Sequence, residues 1–371
     1  MNSLYNIFCI GLAFTMTALA CIFYSLCRRN KAEMNGYQKA SCLMIVAYLF
    51  FGVVNVADYA GRINDVTFCE NIVLFQIVTL VVAVSQAFLF TYAMILLVNR
   101  QYVTKRRFWR ELIVILAVSA AGIIGGTLFS VEITRIVIGL FILFYISLLI
   151  RYTRTFVIIY RQCLTEMDNF FSGIERENLR WVIVSFFFAL GIGIIALTAS
   201  LLPTVHIGNA TSFIYLLFYV WFAIRFINHG FVFEKLEEAM SDTLSTEAKT
   251  TTANERKYEV DFSKFEHKIN LWIEQKGFTQ PDISIADLSS GFAVNRYYLS
   301  KYINENKHCN FNVWINGLRI EEAKNILQNN PDMSVSDIAA ATGFRSRAYF
   351  GTLFLKNTGQ TPQQWRKMRL S

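Results

Sequence analysis

"IADLSSGFAVNRYYLSKYI", residues 285–303, decides the fold of the C-terminal part of the chain, because a related stretch follows at 335–354, "VSDIAAATGFRSRAYFGTLF". Matching residues before the turn, such as Leu288 and Ile338, lie 50 positions apart, whereas matching residues after it lie 51 apart. The second turn is therefore one residue longer. An apolar helix, a tight turn and a second helix, present twice, predict two helix-turn-helix units.

Each copy has a polar residue, Asn295 or Ser346, where its second helix should begin. The side-chain oxygen of such a residue accepts a hydrogen bond from a free amide of the first helical turn. In the first copy, Leu299, Tyr302 and Ile303 fall at helical spacing on an inner face. The outer face then carries cationic and hydroxyl side chains: Arg296, Tyr297, Ser300 and Lys301.

Cationic and hydroxyl groups on the exposed face of a second helix suit base edges and phosphates in a major groove. The alternative interpretation is an ordinary solvated helix face. The duplication favours the DNA-binding interpretation, because two such faces at a fixed distance can contact adjacent segments of one groove.

The stretch 261–369, which contains both units, resembles the DNA-binding domain of the AraC/XylS family of bacterial transcription regulators. The resemblance rests on the first unit, on the bridge "FNVWINGLRIEEAKNIL" at 311–327, and on "VSDIAAATGFRSRAYFGTLFLKNTGQTPQQWR" at 335–366. It implies two helix-turn-helix subdomains joined by one long helix, each with a recognition helix in the major groove. Carried over by position, the implied DNA contacts are Arg296, Tyr297, Ser300 and Lys301 in the first unit and Arg345, Arg347 and Tyr349 in the second.

The chain departs from the family pattern at four positions. Ala293 and His308 stand where the family usually has turn glycines. Thr352 stands where a basic residue is common, and Leu355 where a lysine is common. Fewer charges on the second recognition helix predict weaker phosphate contacts there, so we expect the first unit to carry more of the affinity.

Three bulky residues of this region are predicted to be structural. Trp314 and Trp365 occupy equivalent positions beside apolar neighbours and are expected in the core. Arg319, in the bridging helix, precedes Glu321 and Glu322 and is expected to form a structural ion pair.

The composition is typical of a protein that lies in a lipid bilayer. A chain of 371 residues that is 54% hydrophobic and 17% charged is too apolar for an ordinary soluble protein. Its seven cysteines include no CxxC pair and no zinc-like spacing with the four histidines, so neither a metal site nor a disulfide framework is predicted. No cofactor is expected.

Seven apolar stretches are long enough to cross a bilayer, which takes about 20 residues. The first could be a signal peptide, but it has no basic region before it and runs on into Arg28 and Arg29, which favours an uncleaved span. In the fifth, Arg135 and Arg151 bracket the apolar residues. The predicted spans are 4–27, 40–60, 72–98, 112–131, 133–152, 181–202 and 211–230.

Loop charges give the orientation of these spans. Fourteen Lys and Arg residues fall in the loops assigned to the inside and only Arg62 and Arg135 in the others, as the positive-inside rule requires for an outside N terminus and a cytoplasmic C terminus. This orientation places the helix-turn-helix region where DNA is found. The inside residues are Arg28, Arg29, Lys31, Lys39, Arg100, Lys105, Arg106, Arg107, Arg110, Arg151, Arg154, Arg161, Arg176 and Arg180.

Four polar side chains lie within the spans and are predicted to point into the bundle: Asn55, Asp58, Gln76 and Gln86. Hydrogen bonding between helices is the simpler interpretation, and a small-molecule or lipid site is the alternative. Farther along, 241–254 is rich in Ser and Thr and is predicted to be a flexible tether.

The sequence thus predicts an all-α protein in which a seven-span transmembrane bundle, residues 1–233, is followed by a cytoplasmic linker, 234–260, and a double helix-turn-helix DNA-binding domain, 261–371. The predicted function is a multi-pass transcription regulator of the bacterial cytoplasmic membrane. Its expected partners are double-stranded DNA and the lipid bilayer, with a homodimer and a small-molecule or protein signal left open.

The alternative function is a membrane receptor or transporter that acts through a protein partner, with the C-terminal domain only regulatory. An enzyme is not predicted, because the chain contains no GxxxxGK, HExxH or GxSxG motif.

Overall fold

The computed structural model describes residues 2–27, 36–63, 72–128, 130–172, 179–201, 205–228 and 262–370. These residues form fourteen α-helices and no strand, which confirms the predicted all-α class. The chain divides into two compact units, Met1–Cys163 with Arg180–Glu237 and Leu164–Leu179 with Glu238–Ser371. The predicted linker 234–260, including the tether 241–254, lies outside the described residues.

The helices of the first unit are α1 Asn2–Cys27, α2 Gly36–Ile63, α3 Ile72–Val98, α4 Lys105–Leu128, α5 Val131–Phe170, α6 Arg180–Leu201 and α7 Val205–Asn228. Those of the second unit are α8 Phe262–Glu274, α9 Ile285–Phe292, α10 Arg296–Asn306, α11 Phe311–Asn329, α12 Val335–Ala341, α13 Arg347–Thr358 and α14 Pro362–Leu370. Helix α5 has 40 residues, so it continues well beyond the predicted fifth span. Its last residues, from Leu164, belong to the second unit.

The first unit is a helical bundle in which α3 is the most enclosed helix. Helix α1 packs on α2 and α7, and α3 packs on α2, α4 and α6. All seven helices are long and apolar enough to cross a membrane. Large apolar side chains also lie on the outside of the bundle, as with Phe14 and Leu128, both 76% exposed.

Hydrogen bonds from polar side chains join the helices of the bundle. Gln76 Nε2 donates to the carbonyl of Ser200 over 2.8 Å, and Gln86 Nε2 donates to the carbonyl of Ala47 over 2.9 Å. Gln86 Oε1 also accepts from the hydroxyl of Tyr219 over 3.0 Å. The predicted helix-to-helix role is therefore confirmed for both glutamines.

The cysteine prediction needs a correction, because Cys42 on α2 is disulfide-bonded. Cys9, Cys21, Cys163 and Cys309 are not disulfide-bonded. A disulfide depends on where segments of the chain meet, and the spacing of cysteines along the sequence does not show this.

The second unit has two apolar cores, and the long helix α11 contributes to both. Its first half supplies Phe311, Trp314 and Ile315 to the core formed with α8, α9 and α10. Its second half supplies three further residues to the core formed with α12, α13 and α14: Ile320, Ala323 and Leu327. The predicted core positions of Trp314 and of Trp365, in the second core, are confirmed.

Arg319 lies in the middle of α11 and is 1% exposed. Its guanidinium donates to the carbonyls of Phe278 and Gln280 over 2.8 and 2.7 Å. The glutamates that follow it form surface pairs with other residues, Glu322 with Lys276 and Glu321 with Lys324, each over 2.6 Å. Arg319 is thus structural as predicted, but backbone oxygens are among its main partners.

The turns of the two units adopt left-handed backbone conformations. Ala293 has φ 55° and His308 has φ 51°, at the two positions where the family usually has glycine. Gly343, which corresponds to Ala293 in the second unit, has φ 86°. A side chain in this region is strained, because its Cβ crowds the backbone.

We expect Ala293→Gly to stabilise the first unit by about 1 kcal/mol, because glycine removes the left-handed strain. Gly343→Ala should destabilise the second unit by about 2 kcal/mol or more, since its Cβ would lie 2.5 Å from the carbonyl oxygen of Thr279. Hydrogen exchange of the amides in α9–α10 and α12–α13 of the full chain measures both local stabilities.

Gly351→Ala is the matched control, because a Cβ at this helical position meets no atom within 4 Å. It should be neutral or stabilising by up to about 1 kcal/mol. Faster exchange of α9–α10 in Ala293→Gly would contradict the strain argument.

Candidate nucleic-acid interface

Helix α10 is the recognition helix predicted for the first unit. Asn295 caps it, with its side-chain oxygen accepting from the amide of Tyr297 over 2.8 Å. Leu299, Tyr302 and Ile303 are 0%, 2% and 1% exposed, so the predicted inner face is confirmed. The hydrophobic core thereby fixes which side of the helix faces outward.

The four predicted contact residues of α10 lie on the remaining side. Tyr297 is 46% exposed, and Lys301 is exposed with its ammonium 3.9 Å from Glu305 one turn later. Arg296 and Ser300 are half-buried. Burial, together with the charge of a nearby glutamate, raises the pKa of the inner-face Tyr302, which donates its hydroxyl hydrogen to that carboxylate, Glu266.

Helix α13 is the corresponding helix of the second unit. Ser346 caps it, its hydroxyl accepting from the amide of Tyr349 over 3.3 Å. Arg345 and Arg347 are exposed, but Tyr349 is half-buried and packs against Phe344. Of the three predicted contact residues in this unit, the two arginines therefore face outward, and Tyr349 lies at the inner edge of the helix.

An ion pair links the two helix-turn-helix units. Arg345, just before α13, pairs with Asp282, just before α9. Asp282 has φ 56°, so the loop that carries it is held in a left-handed conformation. Because the arginine side chain is 64% exposed, the pair is solvated and weak, and its free energy is at most about 1 kcal/mol.

The end of helix α5 packs into the first helix-turn-helix core. Phe170 is 9% exposed and belongs to the same cluster of buried side chains as Ile285 and Leu288. Phe171 forms an antiparallel β-bridge with Ser284, the residue that caps α9. The core of this unit is therefore completed by a segment that is distant from it in the sequence.

Hydrogen bonds fix the same segment in place. The Ser172 hydroxyl is fully buried and donates to the carbonyl of Ile283 over 2.7 Å. Asn312 Nδ2 donates to the carbonyl of Phe171 over 2.9 Å, and Arg319 Nη1 donates to the carbonyl of Ser172 over 3.4 Å. We call residues 170–172 the docking segment.

The docking segment also contacts a predicted DNA-binding residue. The guanidinium carbon of Arg296 lies 5.1 Å from the centre of the Phe170 ring, which is a cation–π geometry. Arg296, at the start of α10, thus has an intramolecular partner.

Sequence reasoning missed the docking segment and Asp282. Both act through contacts between segments that are far apart along the chain, and neither lies in a local motif. Helical spacing identified the two faces of α10 because that signal is contained within one helix.

Residues 288–368 match a family model described as "Helix-turn-helix domain". The chain is similar to the regulatory protein PocR of Salmonella typhimurium, with 31% identity over 86 residues that cover 23% of this chain and 28% of PocR. It is also similar to the uncharacterized HTH-type transcriptional regulator YijO of Escherichia coli, with 34% identity over 80 residues, 22% of this chain and 28% of YijO.

Among solved structures, the C-terminal domain of AraT, a response regulator from Geobacillus stearothermophilus, is 28% identical. The match covers 28% of this chain and 84% of that chain, with a TM-score of 0.26. The chain spans about a quarter of the length of the curated relatives PocR and YijO. The C-terminal region is a helix-turn-helix domain of the AraC type, and its relatives are named as regulatory proteins.

Proposed function

We propose that the chain is a transcription regulator embedded in the bacterial cytoplasmic membrane, with its bundle controlling a cytoplasmic DNA-binding unit. The main support for the proposal is that helix α5 has residues in both compact units. This helix begins in the apolar bundle, and its last residue, Phe170, belongs to the core of the first helix-turn-helix unit. A shift of α5 would therefore act directly on the residues that hold α10.

The proposed DNA contacts are the outward groups of the two recognition helices. From Arg296 to the C terminus the chain has eleven Lys and Arg against five Asp and Glu, an excess of six positive charges. Such an excess supports electrostatic attraction to phosphates. The contact residues are Arg296, Tyr297, Ser300, Lys301, Arg345, Arg347 and Tyr349.

The docking segment gives the bundle a means of control. While Phe170 holds Arg296, that guanidinium is restrained and is less available to a base or phosphate. Release of the segment removes this restraint on Arg296 and raises the affinity for DNA. A signal produces this change only if it binds the docked and released states with different affinities.

A receptor that acts through a protein partner is the competing function, with the helix-turn-helix fold used for protein contact. It predicts no dependence of DNA binding on the outer-face cations. The absence of catalytic motifs in the sequence argues against an enzyme.

We expect the full-length protein in lipid nanodiscs to bind a random-sequence duplex with an affinity that falls steeply as salt rises, because each phosphate contact releases counterions. Lys301→Ala should weaken binding and lower the slope of log K against log salt by about 1. A fluorescence-anisotropy titration at several salt concentrations measures both effects.

Lys324→Ala is the control, because Lys324 lies on α11, outside both recognition helices, and is paired with Glu321 over 2.6 Å. For this variant, the slope of log K against log salt should equal that of the wild type. Binding that does not respond to salt, or equal losses in the two variants, would favour the protein-partner function.

We expect a disulfide engineered by Phe171→Cys with Ser284→Cys to hold the docking segment closed. Residues paired across an antiparallel bridge have Cα atoms about 4.5–5.5 Å apart, which suits a disulfide. The oxidised protein should bind DNA about three- to tenfold more weakly than the same protein after reduction, because Arg296 stays against Phe170.

Phe171→Cys alone, oxidised and reduced, controls for the native cysteines. Comparing one variant in two redox states also removes the effect of losing the Ser284 cap. Equal or tighter DNA binding in the oxidised double variant would rule out control by docking.

A further inference from the structure

The bundle contains a partly open cavity of about 720 Å³. Residues of six helices line it, from α1, α2, α3, α5, α6 and α7. Small-molecule sites in proteins commonly have volumes of about 300–1,000 Å³. The cavity is therefore large enough for a drug-sized organic ligand.

The lining is aromatic and carries negative charge at one place. Among the described residues that line it, ten are Phe or Tyr, one is a carboxylate, Asp58, and none is Lys, Arg or His. Aromatic faces attract organic cations, most strongly where water is excluded. An anion would lose its hydration without finding a cationic side chain in the wall, which is costly.

The hydrogen bonds around the cavity point to the same kind of ligand. Tyr219 Oη donates to Gln86 Oε1 over 3.0 Å, and Tyr145 Oη donates to the carbonyl of Gly193 over 3.2 Å. Asn55 Nδ2 donates to a carbonyl of its own helix over 2.8 Å. Because these donors are engaged within the protein, their side-chain oxygens are left to accept from a ligand or to face its positive charge.

One buried hydroxyl of the lining has room for a further hydrogen bond. Tyr152 is 5% exposed, its hydroxyl makes no hydrogen bond of ordinary geometry to the described residues, and the guanidinium carbon of Arg151 lies 5.3 Å from the centre of its ring. A polar group of a bound ligand would supply the hydrogen bond that the hydroxyl lacks.

We propose that this cavity binds a lipophilic organic cation, in which a positive head group faces Asp58 and the aromatic rings and an apolar body fills the remaining volume. Three of the four polar residues singled out in the spans line the cavity, namely Asn55, Asp58 and Gln86. Asn55 donates within the bundle, which leaves its side-chain oxygen for the ligand. Gln86 Oε1 already accepts from Tyr219, and Asp58 Oδ2 accepts from the Cys9 thiol over 3.6 Å, but each of these oxygens has a further lone pair that can face a positive head group.

The position of the ligand suggests how it acts on the regulator. Tyr145 and Tyr152 lie on α5, the helix that ends at Phe170, so a bound ligand contacts the helix that carries the docking segment. This coupling rests on the proposed function. Binding of the ligand to the cavity does not rest on the proposed function. Because this binding is measured without DNA, a failure of the binding proposal is distinguishable from a failure of the proposed function.

The test uses full-length protein in nanodiscs of zwitterionic lipid and radiolabelled tetraphenylphosphonium as the probe, with lipid-only nanodiscs as the blank. Labelled tetraphenylborate, which has nearly the same size and shape but the opposite charge, is measured in separate samples, because the two ions associate when mixed. The cation should bind saturably above the blank, and tetraphenylborate should not.

Two variants connect binding to the cavity. Asp58→Asn keeps the side-chain size and removes the charge, and it should weaken binding about tenfold. Ala189→Trp fills the cavity and should abolish saturable binding. Glu132→Gln removes a carboxylate that does not line the cavity and should leave binding unchanged.

The proposal is overturned if the wild type binds no more probe than lipid-only nanodiscs, or if tetraphenylborate binds as tightly as the cation. It is also overturned if Asp58→Asn binds like the wild type. Because Asp58→Asn is nearly isosteric, its result decides the matter even if Ala189→Trp does not fold.

Discussion

A single buried guanidinium ties the DNA-binding unit together. Arg319 bonds to the carbonyls of Phe278, Gln280 and Ser172, and its guanidinium carbon lies 5.5 Å from the centre of the Phe344 ring. These contacts join the loop before α9, the docking segment and the turn of the second unit around the midpoint of α11. Removal of a buried charged donor would leave several backbone oxygens without partners, which is among the most destabilising changes a core can undergo.

The docking segment changes the expected relation between the bundle and the DNA-binding unit. A Ser/Thr-rich tether alone would give a freely moving domain whose state is independent of the bundle. The described residues show a second connection, because Phe170, the last residue of α5, and Ser172, two residues later, are buried in the first helix-turn-helix unit. One helix thus contributes residues both to the cavity wall and to the core that supports α10.

Features encoded locally were predictable from the sequence. The caps Asn295 and Ser346, the inner face of α10 and the apolar helices each follow from spacing within one segment, and the structure confirms them. Ala293, which departs from the family's glycine, adopts the left-handed conformation that glycine would favour.

Features that depend on contacts between distant segments were not predictable. The ion pair of Arg345 with Asp282 and the insertion of Phe170 join residues whose sequence neighbours give no sign of the contact. The polar residues of the spans left a small-molecule site open, but the size and lining of the cavity were not predictable, because the lining comes from six helices and no single helix indicates the volume between them. For Arg319, the sequence did not indicate the carbonyl oxygens of Phe278 and Gln280, to which its position in α11 directs the guanidinium.

The central claim is that one chain presents a helix-turn-helix unit to DNA while its bundle remains in the membrane. Membrane vesicles of both orientations, prepared from cells that express the full-length chain, test this claim with a labelled duplex. Inverted vesicles, which expose the cytoplasmic face, should capture the duplex, and right-side-out vesicles should not. Capture by right-side-out vesicles, or recovery of the full-length chain in the soluble fraction, would contradict the account.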